Sequence, residues 1–60
     1  MDIVIADIKD VAKALDIKIT IDQAMEVLKR YPEAQQEDPQ ATWNLVVEDL
    51  VYRLLEEEED

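Results

Sequence analysis

An apolar stripe in the C-terminal third of the sequence constrains the fold of this chain most strongly. Apolar residues recur there at steps of three and four, the spacing of one side of an α-helix. The stripe consists of Trp43, Val46, Val47, Leu50, Val51 and Leu54. Leu45, Tyr52 and Leu55 lie off it, so the predicted helix is apolar around more than half of its circumference. It therefore needs cover on two sides, from two other helices or from one helix and a second copy of the chain.

The start of this helix has a strong local signal. Asp38 suits the N-cap position, and Pro39 suits the first helical position, where its missing N–H has no partner to lose. We therefore predict a helix over residues 39–57 and expect it to be the central helix of the fold. Asp49 and Arg53 are four residues apart and are expected to form a weak surface ion pair.

The last five residues, 56–60, are all acidic and continue this helix in phase. Carboxylates at a helix C-terminus oppose the helix dipole and repel one another, so we expect this tail to fray. The sequence is accordingly divided into a single helical domain over residues 1–55 and an acidic tail.

A first helix is predicted over residues 3–15, with Asp2 as its N-cap. Its buried face is expected to comprise Val4, Ile8, Val11, Ala12 and Leu15. The following stretch, 16–22, alternates strictly between polar and apolar residues, which is the pattern of a strand that could pair with the first residues of the chain. Because a lone strand has no partner, we favour an extended connection whose Ile17 and Ile19 pack into the core.

A second helix is predicted over residues 21–31. Thr20 and Gln23 have the spacing of a capping box at its start, and Pro32 is expected to end it. Its buried residues are predicted to be Ile21, Ala24, Met25, Leu28 and Tyr31. Together the three segments indicate an all-α fold, a small three-helix bundle that a second copy of the chain could extend into a dimer.

Composition limits the classes of function. The chain has 60 residues and no Cys or His, so neither a disulfide nor a zinc site can brace its small core. Its net charge of −10 disfavours binding to nucleic acid or to an anionic membrane surface, both of which require a basic patch. No apolar run approaches the roughly 20 residues of a membrane span, and no signal peptide is recognisable, so we expect a cytoplasmic protein.

The inventory of catalytic groups is nearly empty. His, Cys, Ser and Gly are all absent, and Thr20 and Thr42 sit where N-capping explains them. Glu48 and Asp49 are adjacent, and adjacent helical side chains point about 100° apart, so this carboxylate pair does not converge for acid–base chemistry. The acidic tail lacks the turning loop of a calcium site. We therefore expect no enzyme, no cofactor and no metal ion.

Residues 11–17, followed by 20–21, resemble the first helix and turn of a helix-turn-helix motif. Asp16 occupies the place of the usual turn glycine, and the would-be recognition helix carries Asp22 and Glu26. A DNA-binding regulator is thus an alternative that the charge of the chain disfavours.

The remaining apolar and acidic side chains of the last helix form a predicted partner-binding surface. Its members are Leu45, Glu48, Asp49, Tyr52, Leu55 and Glu56. The expected partner is a basic protein, since complementary charge speeds encounter and favours the correct orientation. One alternative is that the charge only keeps the chain soluble. Another is a homodimer held by Leu45, Val51, Tyr52 and Leu55. Trp43 belongs to the stripe and is assigned to the core.

Residues 20–24, the pair Tyr31-Pro32 and residues 38–50 together resemble a pattern found in short acidic bacteriophage and prophage proteins. The pattern covers about half of the 60-residue chain. No activity is attached to it. The resemblance implies a role in host interaction or regulation.

Overall fold

The computed structural model describes residues 3–58 and places them in three α-helices. These are α1 (Ile5–Ala14), α2 (Ile21–Glu37) and α3 (Trp43–Glu58), and each packs against both of the others. Within the described range there is no β-strand. The predicted all-α three-helix bundle is therefore confirmed.

The first helix begins two residues later than predicted, and this changes which residues are buried. The N-cap is Val4, whose backbone N–H donates to Asp7 Oδ2 at 3.0 Å. Val4 is 58% exposed, whereas Ile3, outside the predicted stripe, is buried. Ile3 precedes the cap and Ile8 lies four residues after it, the spacing of a hydrophobic staple, and both belong to the core. The predicted cap, Asp2, lies outside the described residues.

The end of α1 is a Schellman motif built without glycine. The N–H of Asp16 donates to the carbonyl of Lys13 at 3.0 Å, and the N–H of Ile17 donates to that of Ala12 at 2.9 Å. Asp16 takes a φ of 60°, in the left-handed region. The residues that follow run to α2 without forming a strand, and Ile17 and Ile19 pack against the core. The expected packing of Ile17 and Ile19 into the core is confirmed.

The second helix starts at the predicted capping box. Thr20 Oγ1 accepts from the N–H of Gln23 at 3.1 Å, and Gln23 Oε1 accepts from the N–H of Thr20 at 2.8 Å. The predicted buried face is partly wrong, because Ile21 and Met25 are more than half exposed. The fully covered side is formed by Ala24, Val27 and Tyr31, with Leu28 packed at its margin.

Pro32 does not end α2, which continues to Glu37. Contacts of Tyr31, Gln35 and Ala34 accompany the extra turn and a half. The hydroxyl of the buried Tyr31 donates to Gln35 Oε1 at 2.6 Å, Gln35 Nε2 donates to the carbonyl of Ala41 at 3.4 Å, and Ala34 packs against the core. The prediction that the helix ends at residue 31 is therefore wrong.

The third helix begins at Trp43 rather than at Pro39. Asp38 is the C-cap of α2, and its carbonyl accepts from the N–H of Ala41 at 3.1 Å, which closes a turn with Pro39 in its second position. Proline is favoured there because its ring fixes the φ that this turn requires. The carbonyl of Thr42 receives the first helical hydrogen bond of α3, from Val46 at 3.2 Å. The Asp-Pro pair is therefore typical of both a turn and a helix start, and in this chain it forms a turn.

The apolar stripe of α3 lies in the core, as predicted. Val46, Val47, Leu50, Val51 and Leu54 are all buried, and Trp43 packs against them. Partners come from both other helices, with Ile8 of α1 and Val27 of α2 almost completely covered. That α3 is the central helix stays a prediction, because α2 also contacts both of its neighbours. No helix within residues 3–58 combines the length and apolarity needed to cross a bilayer.

Candidate interaction surface

The six side chains predicted to bind a partner lie along one side of α3, which we call the α3 face. Its members are Leu45, Glu48, Asp49, Tyr52, Leu55 and Glu56. Their steps of three and four residues keep them within about a third of the helix circumference. Leu45 is 54% exposed and Tyr52 is 47% exposed, whereas Leu55 packs against the edge of the core. Two large apolar side chains are therefore presented to solvent.

Carboxylates separate and flank these apolar side chains. Asp49 lies between Leu45 and Tyr52, and Glu56 lies one turn beyond Tyr52, and both carboxylates are exposed. The predicted ion pair is confirmed, with Arg53 Nε 2.9 Å from Asp49 Oδ2. Both partners of the pair are well exposed, so its contribution to stability is small. The α3 face is thus apolar at two points and acidic between and beyond them.

One residue of the predicted dimer interface is not available on this surface. Val51 is 1% exposed and belongs to the core of the single chain. A dimer through α3 would therefore have to be formed by Leu45, Tyr52 and the edge of Leu55.

A groove opens between α2 and α3 beside the turn that joins them, with a volume of about 370 Å³. Its apolar lining includes Ala34 and Ala41, whose side chains are a single carbon. The rest of the lining consists of Leu45, Val46, Glu37, Asp38, Asp49 and Arg53. We call this the turn groove. Leu45 and Asp49 belong both to the turn groove and to the α3 face, so the two surfaces are continuous.

At the other end of the α2–α3 pair, one arginine joins the two helices. Arg30 Nε donates to Glu26 Oε2 at 2.7 Å, and its two terminal nitrogens donate to the two carboxylate oxygens of Glu57, each at 2.8 Å. Gln23 Nε2 donates to Glu58 Oε2 at 2.6 Å. These contacts hold the last turn of α3 against α2.

At its C-terminal end α3 extends one residue beyond the predicted 57, to Glu58, and Glu57 and Glu58 bind side chains of α2. That residues 56–60 form a fraying tail outside the helical domain stays a prediction. Because α2 continues past Arg30, this residue lies in the middle of the helix. The two residues after 58 lie outside the described range. The sequence pattern does not predict the Arg30–Glu57 pair, since the two residues are 27 positions apart in the chain.

Hydrogen bonds from Arg30 hold the pKa of Glu57 below its ordinary value of 4.5, while partial desolvation acts in the opposite sense. A depressed pKa in the folded state means that the carboxylate stabilises the fold above the unfolded-state pKa. This stabilisation is lost as the pH falls through the lower folded-state value.

We expect Glu57→Gln to lower the melting temperature slightly at neutral pH, with the difference from wild type shrinking below about pH 4.5. Thermal unfolding followed by circular dichroism at pH 7 and at pH 3 measures both differences. Glu33→Gln is the matched control, since Glu33 is exposed and forms no ion pair within residues 3–58. Equal changes of melting temperature in the two variants at pH 7 would show that Glu57 acts only through its negative charge and that its contact with Arg30 contributes nothing.

Metal and nucleic-acid chemistry find little support in the described part of the chain. Among residues 3–58, no three carboxylates are grouped so that they could hold a metal ion. The helix that would read DNA in a helix-turn-helix, α2, exposes Asp22 at its start and ties Arg30 to two glutamates. That the chain binds neither a metal ion nor nucleic acid stays a prediction from the sequence.

Comparisons of this chain with protein-family models, with curated proteins and with solved structures gave no match. The α3 face and the turn groove therefore have to be interpreted from their own geometry and charge.

Proposed function

We propose that this chain is a small non-enzymatic interaction protein of the cytoplasm that binds a basic protein through the α3 face. The observation that carries the proposal is the exposure of Leu45 and Tyr52 on one side of α3, with carboxylates between and beyond them. Tyrosine is enriched at the energetic centres of protein interfaces, where an apolar side chain with one polar atom is buried against the partner.

Charge complementarity selects the class of partner. The chain carries a net charge of −10, and Arg53, the one basic residue of α3, is already paired with Asp49. A partner surface that presents lysine or arginine around an apolar depression would match both features of this face. The attraction also raises the association rate at low ionic strength.

Excess charge could instead serve only to keep a small apolar domain in solution. That explanation accounts for the carboxylates, but it does not account for two large apolar side chains on the same acidic face. The resemblance to short acidic bacteriophage and prophage proteins adds a biological setting, in which the basic partner is a bacterial host protein.

The test is capture from a bacterial lysate, followed by measurement with the purified captured protein. We expect the wild-type chain to retain a basic protein at low salt and to release it at high salt, because exposed charges are screened. The double variant Leu45→Ser/Tyr52→Ser should weaken binding at least about tenfold, as expected for the loss of two central contacts.

The matched control is Ile21→Ser/Met25→Ser, which removes two equally exposed apolar side chains from α2. This control should bind the captured protein as wild type does. Salt-insensitive binding, or equal losses in the two double variants, would contradict the proposal, as would failure to capture any basic protein.

A homodimer is the second candidate, and the same exposed Leu45 and Tyr52 favour it. Like charge opposes it, since each copy would bring a net charge of −10 to the interface. Sedimentation equilibrium at micromolar concentration separates the candidates. A monomer at low and high salt excludes the homodimer, whereas a dimer that Tyr52→Ser dissociates would replace the proposed partner with a second copy.

A further inference from the structure

We propose that the turn groove receives an arginine side chain of the basic partner. This inference deepens the proposed function and rests on it, because it specifies the part of the partner that is recognised. The groove combines an apolar part with three carboxylates and with Arg53, which is already paired with Asp49. It lies next to the α3 face, and Leu45 and Asp49 form the boundary that the two surfaces share.

The apolar part of the groove suits the stem of a long side chain. Ala34 and Ala41 are half-buried, and Leu45, which also lines the groove, is exposed. Arginine buries its methylene groups along apolar surface while its charged end stays hydrated. A volume of about 370 Å³ is at the lower end of the range of small-molecule sites, which fits one or two side chains rather than a folded element.

The polar part of the groove is negative for two separate reasons. Neither Glu37 nor Asp38 forms an ion pair within residues 3–58, and Arg53, the basic residue that also lines the groove, is paired with Asp49. Both also stand at the C-terminal end of α2, which has no basic residue in its last turn to offset the helix dipole. A partner cation placed here would interact with both carboxylates and with the negative end of the helix.

The geometry of the groove favours a guanidinium group over other cations. Its carboxylates do not come together into a group that could hold a metal ion. Glu37 and Asp38 are the last residue and the C-cap of α2, and their carboxylates both line the groove. A planar guanidinium with several divergent donors can bridge such separated acceptors, whereas the ammonium of lysine acts as a compact point charge.

The probe for this inference is N-acetyl-tetra-arginine amide, titrated into the full ¹⁵N-labelled chain at low salt. We expect the amide signals of Ala34, Asp38, Ala41 and Leu45 to shift the most. N-acetyl-tetra-lysine amide should bind at least about threefold more weakly, because it lacks the planar donor set. Shifts spread evenly over the acidic surface, or equal affinity for the two peptides, would overturn the inference.

Two charge-matched variants locate the effect. Glu37→Gln/Asp38→Asn should weaken the tetra-arginine peptide roughly threefold to tenfold, as expected for the loss of two partly exposed ion pairs. The control Asp10→Asn/Asp16→Asn removes the same charge from exposed positions of α1 and its C-terminal turn, and it should change affinity by less than about twofold. Asparagine suits the left-handed backbone at residue 16, so this control should keep its fold.

The failure of this inference and that of the proposed function have different signatures. Tyr52 is on the α3 face but does not line the turn groove. If Tyr52→Ser leaves capture of the protein partner unchanged while the peptide shifts still map to the groove, the proposed function fails and the arginine site stands. If Tyr52→Ser abolishes capture but Glu37→Gln/Asp38→Asn binds the peptide like its control, only the arginine site fails.

Discussion

Replacing Leu50 with alanine should unfold this protein or leave it only marginally folded at room temperature. Leu50 is 4% exposed and lies in the middle of the α3 stripe, in contact with the core formed by all three helices. Removing a buried leucine side chain costs about 2–5 kcal/mol, because both transfer energy and packing are lost. A core of this size rarely supplies more than about 3–5 kcal/mol in total, so one such substitution consumes most of it. Urea denaturation followed by circular dichroism measures the loss.

Leu45→Ala is the control for this prediction, since it makes the same chemical change on the same helix. Leu45 is 54% exposed and lies on the opposite side of α3 from the core. Its replacement should change the free energy of unfolding by no more than about 0.5 kcal/mol. Similar losses for the two variants would mean that the α3 face is covered in solution, as it would be in a dimer.

Replacing Pro32 with alanine should stabilise the protein by about 1–3 kcal/mol, since an interior proline costs a helix roughly 3 kcal/mol. Pro32 lies inside α2 and cannot donate to the carbonyl of Leu28, four residues earlier. Its side chain is exposed, so alanine would leave no cavity. Each kcal/mol raises the melting temperature of a domain this small by roughly 4–8 °C, which thermal unfolding resolves easily.

Pro39→Ala is the matched control for the second prediction. Pro39 is exposed and lies in the turn between α2 and α3, where its ring fixes a φ that the turn already uses. This control should be neutral or lose up to about 1 kcal/mol. If Pro32→Ala gave no gain, the helix would have to end before Pro32 in solution, as the sequence alone suggested.

The parts of the fold that could be predicted from sequence are those with one dominant local signal. The α3 stripe has an unambiguous helical period, and all of its members except the half-covered Trp43 are buried. The Thr20–Gln23 capping box involves residues three apart, so its two hydrogen bonds form within one turn of chain. The Asp49–Arg53 ion pair is equally local.

The errors arise where tertiary contacts decide between local alternatives. In α2, apolar residues occur on two sides, and periodicity alone does not show that Val27 is buried while Met25 is exposed. Pro32 is a real helix-breaking signal, but packing of the flanking Tyr31 and Ala34 overrides it. When the sequence pattern allows either of two helix faces to be buried, packing against the neighbouring helices decides which face it is.

For the candidate site, sequence reasoning placed the six predicted residues on one side of α3 because they follow one helical period, and their binding to a partner stays a prediction. It could not find the turn groove, because that surface is formed by Ala34 and Glu37 of α2 meeting Leu45 of α3. Nor could it find the Arg30–Glu57 contact, whose two partners meet only once α2 and α3 are paired. Sequence periodicity predicts which residues share one side of a helix. Grooves and long-range ion pairs can be identified only once the packing of the helices is known.

The glycine-free end of α1 affects the unfolded state as much as the folded one. Asp16 takes the left-handed conformation that glycine would adopt more easily, and the sequence contains no glycine at all. Glycine loses more conformational entropy on folding than any other residue, so a chain without it starts from a narrower unfolded ensemble. Asp16 therefore costs the folded state one unfavourable backbone angle, whereas the absence of glycine lowers the conformational entropy that the chain loses on folding. This reduction matters for a protein whose core is so small.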